Sequence, residues 1–132
     1  MTLGVRAAIF DGEDRVFLVR HSYVPGWHFP GGGVERGETL RAALDKELRE
    51  EAGVELTGPA HLFALYSNEA KFRGDHIALY VVKDWQACEP DHRGEIAETL
   101  WCRPGALPAD TSVATRRRIG EVLDGVPVSE TW

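Results

Sequence analysis

The segment from Gly32 to Val54, GGVERGETLRAALDKELREEAGV, constrains this chain more than any other, because it gathers Glu35, Glu38, Glu47, Glu50 and Glu51 into one loop-and-helix unit. Carboxylates held close together on a rigid backbone repel one another, and a divalent cation bound by oxygen ligands is the simplest counter-charge. Projected as a helix with about 100° between residues, Thr39 to Ala52 places Leu40, Ala43, Leu44 and Leu48 in one sector. Arg41, Ala42, Asp45, Lys46 and Arg49 fall on the other side. Glu47, Glu50 and Glu51 project with or beside the apolar residues, whereas an ordinary amphipathic helix keeps its acids toward solvent. Acids on the core-facing side must be paired, hydrogen-bonded or metal-bound, because an isolated buried charge is very costly.

The approach to this helix fits the same reading. Trp27-His28-Phe29 reads as a short strand, followed by the loop Pro30-Gly31-Gly32-Gly33. Glycines let backbone groups come close to a ligand, and an exposed carbonyl there is a hard metal ligand. Glu38 or Thr39 is placed to cap the helix, and Gly53 to end it in the left-handed conformation.

The remaining chain predicts one α/β (α+β) domain spanning residues 1–132. Val5 to Phe10 and Val16 to Arg20 are strands joined by the polar turn Asp11 to Arg15, which reads as a β-hairpin. His61 to Ser67, Ile77 to Val82 and Ile96 to Cys102 are further strands, and Gln86 to Gly94 is a loop. Thr111 or Ser112 caps a last helix that runs to about Leu123 and ends near Gly125. Strands before and after a central helix, with a second helix at the end, suggest a mixed sheet sandwiched between helices. With 132 residues, 43% of them hydrophobic, the chain can bury its own core and is not disordered by composition. Cys88 and Cys102 show no metal-ligand spacing and read as reduced thiols of a cytoplasmic protein. No apolar run reaches membrane-spanning length, and no signal peptide is expected. A net charge of −6 argues against a nucleic-acid polymer as partner but not against a small phosphorylated ligand.

Gly32, Glu38 and the run Lys46-Glu47-Leu48-Arg49-Glu50-Glu51-Ala52-Gly53-Val54 resemble the Nudix box, GX5EX7REUXEEXGU with U aliphatic. Every fixed position matches except Lys46, where the family has Arg. The order of the flanking strands and helices also resembles that family, whose α/β/α sandwich has a mixed sheet between helices. The resemblance implies hydrolysis of a diphosphate linkage in a nucleoside diphosphate joined to another group, with Mg²⁺ or Mn²⁺ as cofactor. It implies that Glu47, Glu50 and Glu51 bind the metal, with Glu50 and Glu51 the strongest candidates, that Glu47 or a neighbour helps activate water, that Glu38 supports the cluster, and that the Gly32 carbonyl completes the metal site. Lys46 keeps the charge of the family's Arg but not its planar fork, and lies within reach of Glu50 four residues on.

Relatives recruit one more acid after the catalytic helix; Glu95 is the preferred candidate here, Glu98 the other. Arg20, Arg73 and His76 are candidates to meet phosphate, Tyr23 and His28 to contact substrate. Trp27 and Phe29 either stack on a base or fill the core. Arg116-Arg117-Arg118 reads as an exposed basic face. The expected partner is a small nucleotide, such as a nucleoside triphosphate or sugar nucleotide. A homodimer is left open. Two other readings are a non-catalytic nucleotide-binding module, which loss of the acids would signal, and a diphosphate isomerase, which would need a catalytic cysteine.

Overall fold

The computed structural model describes residues 1–91 and 96–132. The strands are β1 (Thr2–Ile9), β2 (Val16–His21), β3 (Gly31–Gly33), β4 (Val54–Leu56), β5 (His61–Ser67), β6 (Asp75–Val82), β7 (Trp85–Ala87) and β8 (Ile96–Cys102), and the helices are α1 (Leu40–Ala52) and α2 (Val113–Asp124). The main sheet has the order β3-β1-β6-β5. It is mixed, because β1 and β6 run parallel while β3 and β5 pair antiparallel with their neighbours. β2 pairs with β8, and β4 with β7, in two short antiparallel ladders.

Side-chain alternation explains why both faces are covered. Val5, Ala7 and Ile9 of β1, Phe17 and Val19 of β2, and Ala78, Tyr80 and Val82 of β6 form one core with Ala43, Leu44 and Leu48 of α1. Ala8, Phe10, Val16, Leu18 and Leu79 turn the other way, into a second core with Ile119 of α2. A sheet buried on both faces reads as continuous apolar runs, which is the pattern of AAIF and VFLV. The expected sandwich is therefore present.

Three local expectations are corrected. β1 and β2 do not form a hairpin ladder and meet only at a Phe10–Val16 bridge. The reason is that both edges of β1 are already taken, by β3 and β6. The intervening turn is held by Asp11, whose carboxylate accepts from the N–H groups of Glu13 and Arg15 and from Arg15 Nε. Trp27 to Phe29 makes only isolated bridges, and the triple glycine is itself the strand. Trp85 to Ala87, expected to lie partly in a loop, is a strand.

The helix ends follow their residues. Thr39 caps α1 by accepting from the Ala42 N–H at 3.0 Å, and Gly53 ends it at φ 62°. Ser112 caps α2, and Gly125 ends it at φ 67°. Both cysteines are free thiols. Among the described residues no helix is long and apolar enough to cross a membrane.

Candidate active site

β3 carries α1 onto the sheet edge. Gly31 stands opposite Arg6 and Gly32 opposite Val5. A Cβ on Gly31 would overlap the Val5 carbonyl and lie 2.9 Å from Arg6 Cα. One on Gly32 would lie 2.6 Å from the Glu47 carboxyl. Glycine at 31 lets the strand lie against β1, and glycine at 32 leaves room for the Glu47 carboxyl. The glycines thus act through what they omit.

Glu51 is 9% exposed, buried as the helical projection predicts, and accepts from the Gly31 N–H at 3.3 Å. Glu47 is half-buried, and the two carboxyls share a hydrogen bond. Burial pushes Glu51 up to about 8, against the pull of the Gly31 N–H and the Arg6 guanidinium. Burial raises Glu47 as well, and the nearby Glu50 charge adds to the rise. Near neutral pH Glu51 therefore carries the proton and donates to Glu47. Arg6, half-buried in the middle of β1, is the cation facing both acids. Its own pKa is lowered by burial, and the charges of Glu51, Glu47 and Asp75 oppose that fall.

Two compartments open above this pair. One, of about 430 Å³, is lined by Glu47, Glu51, Arg6, Gly31 to Gly33, Tyr23, His28 and Lys71. The other, of about 580 Å³, has apolar walls from Leu3, Phe29, Val34, Ile77 and Trp132, with Asn68, Asp75 and Arg73 among its polar groups. Arg6, His28, Gly32, Gly33, Lys71 and Phe72 border both, so they form one continuous cleft. One end offers acids beside fixed cations; the other offers aromatic and aliphatic surface. A diphosphate attached to a nucleoside has the same two-part chemistry.

The expected residues divide by this geometry. Gly32, Glu47, Glu51, Tyr23, His28 and Arg73 border the cleft. Tyr23 is 70% exposed at the rim, and His28 Nε2 donates to the Pro25 carbonyl at 2.9 Å. Glu50 is half-buried beside Glu47 and does not line the cleft. Lys46 pairs with Glu38 at 3.1 Å and Glu35 at 3.7 Å, and so ties α1 to the preceding loop. Glu38 in turn accepts from the Glu35 N–H at 2.8 Å. Arg20 pairs with Glu98 across β2 and β8 and lies over the Trp27 ring, away from the cleft. Trp27 is 7% exposed and fills the α2-side core. Of the basic run on α2, Arg118 is fully buried, contrary to an exposed face. Glu95 lies outside the described residues.

Arg6, Lys71, Phe72, Asn68, Asp75 and Trp132 were missed. Arg6 had a signal, since a lone charge in an apolar strand requires partners. The others approach the cleft through tertiary packing and carried none.

The donor set suits a hard divalent cation. The buried Glu51 carboxyl and the half-buried Glu47 carboxyl share a hydrogen bond, and Gly32 lies against the latter with a backbone carbonyl of the hard-ligand type. Among the described residues, no group of three or more His, Cys, Asp or Glu is already gathered for a metal.

Comparison with known proteins bears on the same arrangement. The family model described as "NUDIX domain" matches residues 1–122. The CTP pyrophosphohydrolase of Escherichia coli (strain K12) is 35% identical over 104 residues, covering 76% of this chain and 75% of that protein. A putative 8-oxo-dGTP diphosphatase of Bacillus subtilis (strain 168) is 28% identical over 125 residues, covering 94% and 81%. The fold superposes on the MutT NUDIX hydrolase of Burkholderia pseudomallei with a TM-score of 0.77 and 24% identity, over 92% of this chain and 97% of that one. The chain belongs to the NUDIX domain family and is a Nudix hydrolase.

Proposed function

We propose that this hydrolase cleaves the diphosphate linkage of a small nucleotide, with nucleoside triphosphates first among the substrates, and that it depends on Mg²⁺ or Mn²⁺. The observation that carries the reading is the Glu47–Glu51 pair, one half-buried and one buried, opposed by Arg6, at the acid end of a cleft whose other end is apolar. Relatives named for CTP and 8-oxo-dGTP support a nucleoside triphosphate. Glu47, Glu51 and the Gly32 carbonyl would hold the cation, with Glu50 beside them. When bound, such a cation neutralises charge developing on phosphoryl oxygens and lowers the pKa of a coordinated water.

The chain's own residues supply the rest. Arg6 and Lys71 face the path between the compartments and would hold phosphate oxygens in place. Arg73, His28 and Tyr23 would close the rim. A carboxylate of the Glu47–Glu51 pair would take a proton from water as the water oxygen bonds to phosphorus. The P–O bond to the bridging oxygen then breaks, and the phosphorylated leaving group departs with that electron pair. Lys46 would act by fixing the Glu35–Glu38 loop to α1 rather than by touching substrate. Cys88 and Cys102 line neither compartment, which favours hydrolysis over isomerase chemistry. The acidic net charge favours a small nucleotide over a nucleic-acid polymer. Free cysteines accord with a cytoplasmic protein, and residues 1–132 are read as one domain.

The test is incubation with Mg²⁺ and CTP, 8-oxo-dGTP or ADP-ribose, with products resolved by ion-exchange chromatography. The expected result is a nucleoside monophosphate with pyrophosphate from a triphosphate, or with a sugar phosphate from ADP-ribose. Turnover of none of them, or release of orthophosphate alone from a triphosphate, refutes the reading.

A further inference from the structure

One wall of the cleft comes from a segment far from the acids. After Gly125 the chain runs back along the outer edge of β5. The Ser67 N–H donates to the Glu130 carbonyl at 2.8 Å, and the Trp132 N–H donates to the Ser67 carbonyl at 2.9 Å. These bonds cover one end of an otherwise open sheet edge.

Beneath this strap lies Arg118, with no exposed surface. Its Nη1 donates to the carbonyls of Thr131 at 3.0 Å and Trp132 at 2.6 Å, and its Nη2 pairs with Glu121 at 3.0 Å. The guanidinium also lies over the rings of Tyr66 at 4.5 Å and Trp132 at 5.3 Å. Glu121 accepts from the Tyr66 hydroxyl at 2.6 Å and from the Ser129 N–H at 3.1 Å. A buried ion pair contributes little net stability over well-packed apolar residues, and its best-attested use is to specify one arrangement. Here the arrangement specified is the position of the Trp132 indole. That ring stands edge-on to Tyr66 at 5.3 Å and tilted against Phe29 at 6.4 Å. Phe29 is almost fully buried, whereas Trp132 is half-buried and borders the apolar compartment.

We infer that Trp132 is a specificity-determining contact for the nucleobase, and that Arg118 is the positioning residue that holds it there. The inference rests on the nucleotide reading of the cleft. An indole held by a cation and two rings has little freedom left to lose when a base packs on it. The loss of conformational entropy that usually opposes such packing is therefore small.

The test is steady-state kinetics on CTP and 8-oxo-dGTP, with inorganic tripolyphosphate as an inhibitor that lacks a base. Trp132→Ala is expected to raise KM for the nucleotide about tenfold, the scale of one lost base–aromatic contact, with the loss carried by KM rather than kcat. Inhibition by tripolyphosphate stays as in the wild type. Trp132→Phe recovers most of the lost affinity. Arg118→Met reproduces the Trp132→Ala profile if it folds; if circular dichroism shows it unfolded, the two Trp132 variants decide the matter alone. An unchanged KM in Trp132→Ala, or tripolyphosphate inhibition that weakens in step with KM, overturns the inference. If the wild type turns over no nucleotide, the hydrolytic reading has failed and titration of tryptophan fluorescence decides instead. Quenching by CTP or 8-oxo-dGTP that is lost in Trp132→Phe supports the contact. Quenching retained in that variant, or none in the wild type, overturns it.

Discussion

If the proposed divalent cation binds at Glu51, it displaces a proton there, and the size of that effect follows from the site. The carboxyl titrates at about 8 against an ordinary value of 4.5, chiefly because it is buried. A group with a pKa of about 8 is roughly nine-tenths protonated at pH 7, and a carboxylate ligand must be deprotonated. Binding of one Mg²⁺ at pH 7 is therefore expected to release close to one proton, falling to near zero by about pH 9.5. The same shift sets the stability of the metal-free protein. A folded pKa raised above the unfolded one means that the native state holds the proton more tightly. Stability is then greatest below about pH 4.5, as far as this group is concerned, and is lost as pH rises toward 8. Taken over the whole interval, the loss is roughly 3–5 kcal/mol. Isothermal titration calorimetry of Mg²⁺ in buffers of different ionisation enthalpy counts the protons. Metal-free melts at pH 6 and pH 9 report the stability. Glu51→Gln should abolish the proton release and flatten the fall in Tm. Buffer-independent heats at pH 7, or equal release from Glu51→Gln, would refute the argument.

Other substitutions follow from the same contacts. Gly32→Ala sets a Cβ 2.6 Å from the Glu47 carboxyl, which as the end of a flexible side chain can swing aside, so it should cost no more than about 1 kcal/mol in urea unfolding yet weaken Mg²⁺ binding by displacing that carboxyl. Wild-type affinity in that variant would show that the close approach is unimportant. Arg6→Met removes the cation facing Glu47 and Glu51 and should lower kcat/KM for a nucleoside triphosphate by at least about tenfold. It should also move the Glu51 titration still higher, read by ¹³C-carboxyl NMR; a downward movement contradicts the assignment. Lys46→Met frees the Glu35–Glu38 loop with little change in the urea-unfolding midpoint, because the pair is solvent-screened; a large fall in that midpoint would contradict this. Lys46→Arg should preserve both ion pairs and leave kcat within about twofold; a large gain would return Lys46 to direct contact with the catalytic acids.

How far the site was legible depended on the range of the interactions that build it. α1 could be read to its ends, because a threonine cap, a left-handed glycine and a 3.6-residue period are local properties. The inward turn of Glu51 followed from the same period. The Lys46 pairs with Glu38 and Glu35 were not legible, because spacing along a helix points only to Glu50, whereas the loop folds back to bring these two acids to it. The hairpin between β1 and β2 failed for a comparable reason. The turn residues were correct, but which strand takes which edge is decided across the whole sheet. Trp27 and Trp132 reverse any guess made from residue type. The first is close to the acids in sequence and goes to the core. The second is far away in sequence, and its segment is tied beside the cleft by backbone bonds to Ser67 and by Arg118.

The central claim is that the Glu47–Glu51 pair does the hydrolytic work of this fold. Its most direct test compares initial rates of wild type and Glu51→Gln on the best nucleotide of the panel, with Mg²⁺, in ¹⁸O-labelled water followed by ³¹P NMR. The account predicts one labelled oxygen on a single product phosphorus from the wild type. It predicts a rate lower by about 100-fold or more in Glu51→Gln, whose fold remains intact by circular dichroism. Hydrolysis that proceeds undiminished in Glu51→Gln would contradict it.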